Sequence, residues 1–142
     1  MEDCIFCKII TGEIPSVSVY EDDDVKAFLD ISQTTVGHTL LIPKKHVTNI
    51  FDYDAALSSK VLVKIPVIAR AIKKSNPKIL GLNIVNNNGE LAYQSVFHSH
   101  FHLIPRYTES DSFSINFTNN SEKYSTNQLQ EIAASIKQNL ED

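Results

Sequence analysis

Between Phe97 and Ile104 the chain reads Phe97-His98-Ser99-His100-Phe101-His102-Leu103-Ile104, with histidine at every second position. A period of two is that of a β-strand, on which His98, His100 and His102 line one face while Phe97, Phe101 and Leu103 line the other. Each imidazole has a ring donor and a ring acceptor that need partners when buried, so three in a row fill a core poorly. Packing alone does not account for the run.

The rest of the chain supplies a sheet for that strand. Val17 to Tyr20 and Val25 to Asp30 read as strands, joined by a solvated hairpin turn at Glu21-Asp22-Asp23-Asp24. Gly37 to Pro43 and Gly81 to Asn86 read as two more, and Pro43 closes its strand because it cannot donate to a ladder. Leu57, Val61, Ile65, Ile68 and Ile72 recur with helical spacing from Asp54 to Lys74; Pro66 inside that pattern predicts a kink or two shorter helices. Asn86-Asn87-Asn88-Gly89 is a loop, and Ser110 to Ser125 carries no clear periodicity. A capping box at Ser125 and Gln128 opens an amphipathic C-terminal helix over about 125–140, with Leu129, Ile132, Ala133, Ile136 and Leu140 on one face. The expected architecture is α+β: one domain over 1–142, with about five strands in a mostly antiparallel sheet, a main helix and a C-terminal helix.

Thirteen basic against seventeen acidic residues give a net charge of −4, with the basic residues scattered. No broad nucleic-acid footprint is expected from such a surface, so an anionic ligand needs a local site. No apolar run is long enough to span a bilayer, and Met1-Glu2-Asp3 is the reverse of a basic signal start, so a soluble cytoplasmic protein is expected. Cys4 and Cys7, the chain's two cysteines, fit a metal site or a redox pair better than a structural disulfide in a reducing compartment.

The residues leave two chemistries open for the histidines. Four residues of strand span about 13 Å, which disfavours one ion bound by all three rings. Neighbouring rings such as His98 and His100 could still share a catalytic metal. Alternatively, a neutral imidazole can act as a nucleophile at phosphorus or carbonyl carbon if a neighbour fixes its tautomer. Ser95, just before the strand, could supply a hydroxyl donor. The pair Cys4-x-x-Cys7 has zinc spacing but needs two further ligands to close a site.

The run from His98 to Ile104 resembles the signature of the histidine triad (HIT) family of nucleotide hydrolases and transferases, with Ser99 where an apolar residue is usual. The resemblance extends over roughly 3–107. It takes in Asp3-Cys4-Ile5-Phe6-Cys7-Lys8-Ile9-Ile10, Gly12-Glu13-Ile14-Pro15, Phe28 to Ser32, Gly37 to His46, Asn86 to Gly89 and Gln94 to Phe97. It implies a HIT-like fold and a nucleophilic His100 that attacks the α-phosphorus of a purine nucleotide through a covalent nucleotidyl-histidine. By the same resemblance His98 and His102 support His100, His38 packs behind the triad, and Ser95, Gln94 and Asn87 contact phosphate or leaving group. Asp30 would accept from the ribose hydroxyls, and Ile5, Phe6, Ile9, Phe28 and Ile31 would enclose the base.

Some bacterial members complete a zinc site with residues that correspond to His46 and His98, which with Cys4 and Cys7 implies a structural Cys2His2 zinc and no other cofactor. The family resemblance further implies a homodimer. Its phosphoramidase branch, which cleaves nucleoside phosphoramidates and aminoacyl-adenylates, matches best around Gln94-Ser95. The alternatives are a dinucleoside polyphosphate hydrolase and a purine-nucleotide-binding regulatory protein with little turnover.

Overall fold

The computed structural model describes residues 3–141. Its elements run α1 (Ile5–Thr11), β1 (Ser18–Glu21), β2 (Val25–Leu29), β3 (Thr39–Pro43), α2 (Ala55–Val61), α3 (Lys64–Ser75), β4 (Gly81–Val85), β5 (Phe101–Arg106) and α4 (Thr126–Lys137). The five strands form one antiparallel sheet in the order β1-β2-β3-β5-β4. The expected α+β class, with five antiparallel strands, is the architecture observed. Among the described residues no helix is long and apolar enough to cross a membrane.

Side-chain alternation divides the sheet between two apolar clusters. Ala27, Leu41, Phe101 and Leu103 face α2 and α3, where Leu57, Val61, Ile68 and Ile72 bury their helical stripes. Phe28, Leu40 and Ile42 point the other way, against Phe6 and Ile9 of α1. His102 lies across from Leu40 on β3 and Val85 on β4, on the α1 side of the sheet. One short helix covers only part of that side and leaves room there for a pocket.

The local devices follow from the sequence. Asp22 Oδ1 accepts from the backbone N–H groups of Asp24 and Val25, both at 2.8 Å, and ties the β1–β2 turn. The expected 54–74 helix is two helices, and Pro66 sits in the first turn of α3, where its missing N–H costs no intrahelical bond. Helix α1 had no counterpart in the periodicity. It is capped by the Cys4 thiol, which accepts from Cys7 N, and ends at Gly12 with φ 84°. The capping box of α4 is present at Ser125 and Gln128, although the helix stops at Lys137 and none of its residues is buried.

Strand β5 corrects the expected 97–104 strand, because the ladder begins only at Phe101. The reason lies in where the preceding backbone groups bond. Ser99 N donates to Val47 O at 2.8 Å, and His100 O accepts from the Asn86 side chain at 2.9 Å. His98 and His100 therefore sit on a bent lead-in held by loops. Ser99, between those two rings, faces away from them and pairs with the Tyr53 hydroxyl at 2.9 Å in the opposite core.

Candidate active site

The stretch that follows β3 anchors this lead-in. Pro43 O, Val47 O and Thr48 O accept from His98 Nε2, Ser99 N and Gln94 Nε2 at 2.8, 2.8 and 2.7 Å. His98 is fully buried, and the bond to Pro43 assigns its proton to Nε2, leaving the Nδ1 lone pair facing Cys4 and Cys7. Burial pushes His98 down to about 4, with the charges of His46 and His100 adding to it against the Pro43 bond. It remains neutral and able to ligate.

Cys4, Cys7, His46 and His98 form one cluster, their ligand atoms all within 4.8 Å of one another. Nδ1 of His98 lies 3.4 Å from Cys4 Sγ, 3.6 Å from Cys7 Sγ and 3.1 Å from His46 Nδ1, and Cys7 Sγ lies 3.3 Å from His46 Nδ1. A tetrahedral zinc with ordinary bond lengths separates sulfur from nitrogen by about 3.6 Å and nitrogen from nitrogen by about 3.3 Å. The donor set fits zinc, and the Pro43 bond supplies the outer partner that orients a ligating histidine. Without a cation, burial raises the Cys7 thiol, and the bond and charge of Cys4 raise it further.

The other two histidines of the run face a cavity of about 300 Å³. His100 donates from Nδ1 to His98 O at 2.9 Å, which leaves Nε2 as a lone pair. Burial lowers its pKa, opposed by the His98 carbonyl and by Asp30, so the ring is neutral. For His102 the tautomer follows from a chain of bonds. Thr34 N donates to His38 Nδ1 at 3.3 Å, so His38 Nε2 carries the proton that bridges to His102 Nδ1 at 2.9 Å. The remaining ring donor of His102 is Nε2–H. Burial first, then His100 and His38, brings His102 down to about 4.

Asp30 accepts from Ser32 N at 2.8 Å and Ser32 Oγ at 2.5 Å, both through Oδ1, while Oδ2 lies 3.8 Å from His38 Nε2. Burial works to raise this carboxyl, but the Ser32 bonds and the histidines outweigh it and hold it below its usual range.

The cavity is lined by Ile5, Phe6, Ile9, Phe28, Ile31, Asp30, Asn87, Ser95, His100 and His102, as expected from the sequence, together with Tyr93 and Val96. Phe6 meets His100 edge to face at 5.0 Å. Three expected residues lie outside its lining. His38 stands behind His102, and His98 turns its ring to the cysteines, so His98 and His100 do not converge on one catalytic ion.

Gln94 is the clear departure. It is 3% exposed and spends its side chain on backbone, accepting from Gly89 N and donating to Thr48 O and Val96 O. A carboxamide so committed clamps the loop and has nothing left for phosphate. Asn86 was missed: its Nδ2 holds His100 O, and its Oδ1 accepts from Asn88 Nδ2 at 2.7 Å. The run Asn86-Asn87-Asn88 could have signalled this, since neighbours in an extended segment point opposite ways.

A neutral histidine with a fixed tautomer, beside a pocket with apolar walls and one carboxylate, Asp30, is the arrangement of a histidine triad site. The HIT domain family model matches residues 11–109, and the chain belongs to the HIT family. The protein hit of Bacillus subtilis (strain 168) is 51% identical over 139 residues, 98% of this chain and 95% of its own. A crystal structure of a HIT family member from the same species superposes with a TM-score of 0.95 at 49% identity, covering 99% of both chains. The adenosine 5'-monophosphoramidase hnt1 of Schizosaccharomyces pombe is 40% identical over 106 residues, 75% of this chain and 76% of its own. A zinc-bound histidine triad protein from Mycobacterium smegmatis superposes with a TM-score of 0.72 at 34% identity, covering 96% of this chain and 97% of that one.

Proposed function

We propose that this protein hydrolyses purine nucleotides at the α-phosphate, with nucleoside phosphoramidates and related adenylates as substrates. The carrying observation is the unbonded Nε2 of His100 beside the cavity, with Nδ1–H committed to His98 O. Nε2 attacks phosphorus, the bond to the leaving amine breaks with its electron pair, and the amine takes up a proton as it departs. Water then attacks the phosphorus of the nucleotidyl-histidine and gives up a proton to solvent, and the phosphorus–nitrogen bond breaks with its electron pair returning to Nε2, which releases the nucleotide and restores neutral His100.

His102 Nε2–H donates to a phosphoryl oxygen, with His38 and Thr34 holding its tautomer, and Ser95 adds a hydroxyl donor. Asn87 reaches the phosphate from the same segment. Asp30 Oδ2 accepts from the ribose, and Phe6, Ile9, Phe28, Ile5 and Ile31 sandwich the base. The relative named as an adenosine 5'-monophosphoramidase supports this substrate class.

Incubation with adenosine 5'-phosphoramidate tests it: AMP is released by the protein and not by His100→Ala. Equal release by both, or tight AMP binding without turnover across phosphoramidates and dinucleoside polyphosphates, sinks the reading.

Cys4, Cys7, His46 and His98 would hold a structural zinc, which neutralises the thiolates and ties α1 to the histidine lead-in. The fit of their spacing and the zinc-bound relative support this. Because His98 O orients His100, a metal on the His98 ring steadies the nucleophile through one residue of backbone. A second copy of the chain is the proposed partner. Edge strand β4 has an open side, and the α4 face of Leu129, Ile132 and Ile136 is exposed to solvent, which supports burial between two copies.

A further inference from the structure

Tyr93 adopts a backbone conformation that tyrosine rarely takes, and it does so at the rim of the pocket. Its φ of 70° and ψ of 20° are left-handed, a region where a side chain crowds its own carbonyl and glycine is the easy occupant. The loop imposes this conformation. Ala92 N and Gln94 N donate to Gly89 O at 3.1 and 3.0 Å, Tyr93 N donates to Glu90 O at 3.0 Å, and the Gln94 side chain closes on Gly89 N at 2.8 Å. The turn needs positive φ at this position but has no need of an aromatic ring. Tyr93 adds nothing to the core, being 87% exposed, yet it lines the same cavity as His100 and Ser95. Strain held in place by surrounding bonds is characteristic of functional sites.

The walls of the cavity divide its contents. Phe6, Ile9 and Phe28 are buried and enclose the part of a substrate that must be shielded from water, the base. Tyr93 comes instead from the segment that carries Asn87 and Ser95, and its open position suits the part that projects towards solvent beyond the phosphorus. That part is the leaving group.

We propose that Tyr93 is a specificity-determining residue, whose ring selects leaving amines that carry planar or apolar surface over ammonia. The inference rests on the nucleotidyl-transfer reading of the site. The phenol offers a π-face held on a fixed loop, so contact with it requires little further ordering.

The test compares kcat/KM for the adenosine 5'-phosphoramidates of 2-phenylethylamine and of ammonia, in the wild type, Tyr93→Gly and Tyr93→Phe. Glycine suits the left-handed backbone, so Tyr93→Gly is expected to fold, and thermal melting checks this. The arylalkyl-over-ammonia ratio should fall about two- to tenfold in Tyr93→Gly, the range an aromatic contact contributes, and be restored in Tyr93→Phe. A ratio that does not change in Tyr93→Gly overturns the proposal alone. So does a change confined to the preference between adenosine and guanosine substrates, since Tyr93 would then contact the base. If the wild type releases no nucleotide from either compound, the hydrolase reading falls and the proposal with it.

Discussion

Asn86 offers the sharpest check on how the fold positions His100. Its Nδ2 donates to His100 O at 2.9 Å and its Oδ1 receives Asn88 Nδ2 at 2.7 Å, so Asn86→Ala removes two bonds and leaves the carbonyl of a buried residue without this donor. A net hydrogen bond contributes about 1 kcal/mol and an orphaned buried acceptor costs about 1–3 kcal/mol, so a loss of about 2 kcal/mol in unfolding free energy is expected. Asn86→Asp keeps the shape but sets an oxygen against His100 O, and should cost at least as much.

The loss should also appear in turnover. The His100 ring takes its orientation from the bond of its Nδ1 to His98 O two residues earlier, so freeing the His100 carbonyl loosens the ring itself. Since misplacement by 1 Å can cost about a hundredfold in rate, a partial shift predicts a fall in kcat of about tenfold with KM changed by less than about twofold. Urea melts followed by circular dichroism give the stability, and initial rates of AMP release give the kinetic constants. A destabilised Asn86→Ala protein with unchanged kcat would refute the claim that this clamp positions the nucleophile.

Three further outcomes follow. His102 titrates near 4 in the folded chain against an ordinary 6.5, so the unfolded chain takes up the proton first; stability is full above that ordinary value and declines as pH falls towards 4. The decline from this group is at most about 3 kcal/mol and is reduced by partial exposure; urea midpoints at pH 7 and 4.5 should differ less in His102→Asn than in the wild type. Protein purified without chelator should carry about one zinc per chain by mass spectrometry of the metal, and Cys7→Ala should lose it together with protection of α1 from hydrogen exchange; a metal-free wild type would contradict the site. Light scattering should give twice the chain mass, shifting towards monomer in Ile132→Glu, whereas a monomeric wild type would rule out the second copy.

The sheet was legible in the sequence where burial enforces alternation. The alternation of β2 and β3 follows the apolar pattern because a slip of one residue would turn Leu41 and Phe28 to the wrong faces. The start of β5 was not legible. Residues 97–100 alternate like a strand, but their partners are Val47 and Asn86, and contacts so distant in the chain leave no local signature. Helix α1 was read only as pocket and metal residues, since seven residues carry too little periodicity to announce a helix. Gln94 and Asn87 looked alike in composition; only the fold decides that one clamps backbone while the other lines the cavity. Tyr93 gave no signal, because a positive φ is a property of the turn that encloses the residue.

In the proposed reaction His100 forms a covalent bond to the α-phosphorus. Rapid acid quenching during turnover of a slow adenosine phosphoramidate, followed by intact-mass and peptide mass spectrometry, tests it directly. An adenylyl adduct is expected on the peptide that contains His100, absent from His100→Ala. Continued AMP release by His100→Ala, or an adduct located on another residue, would contradict it.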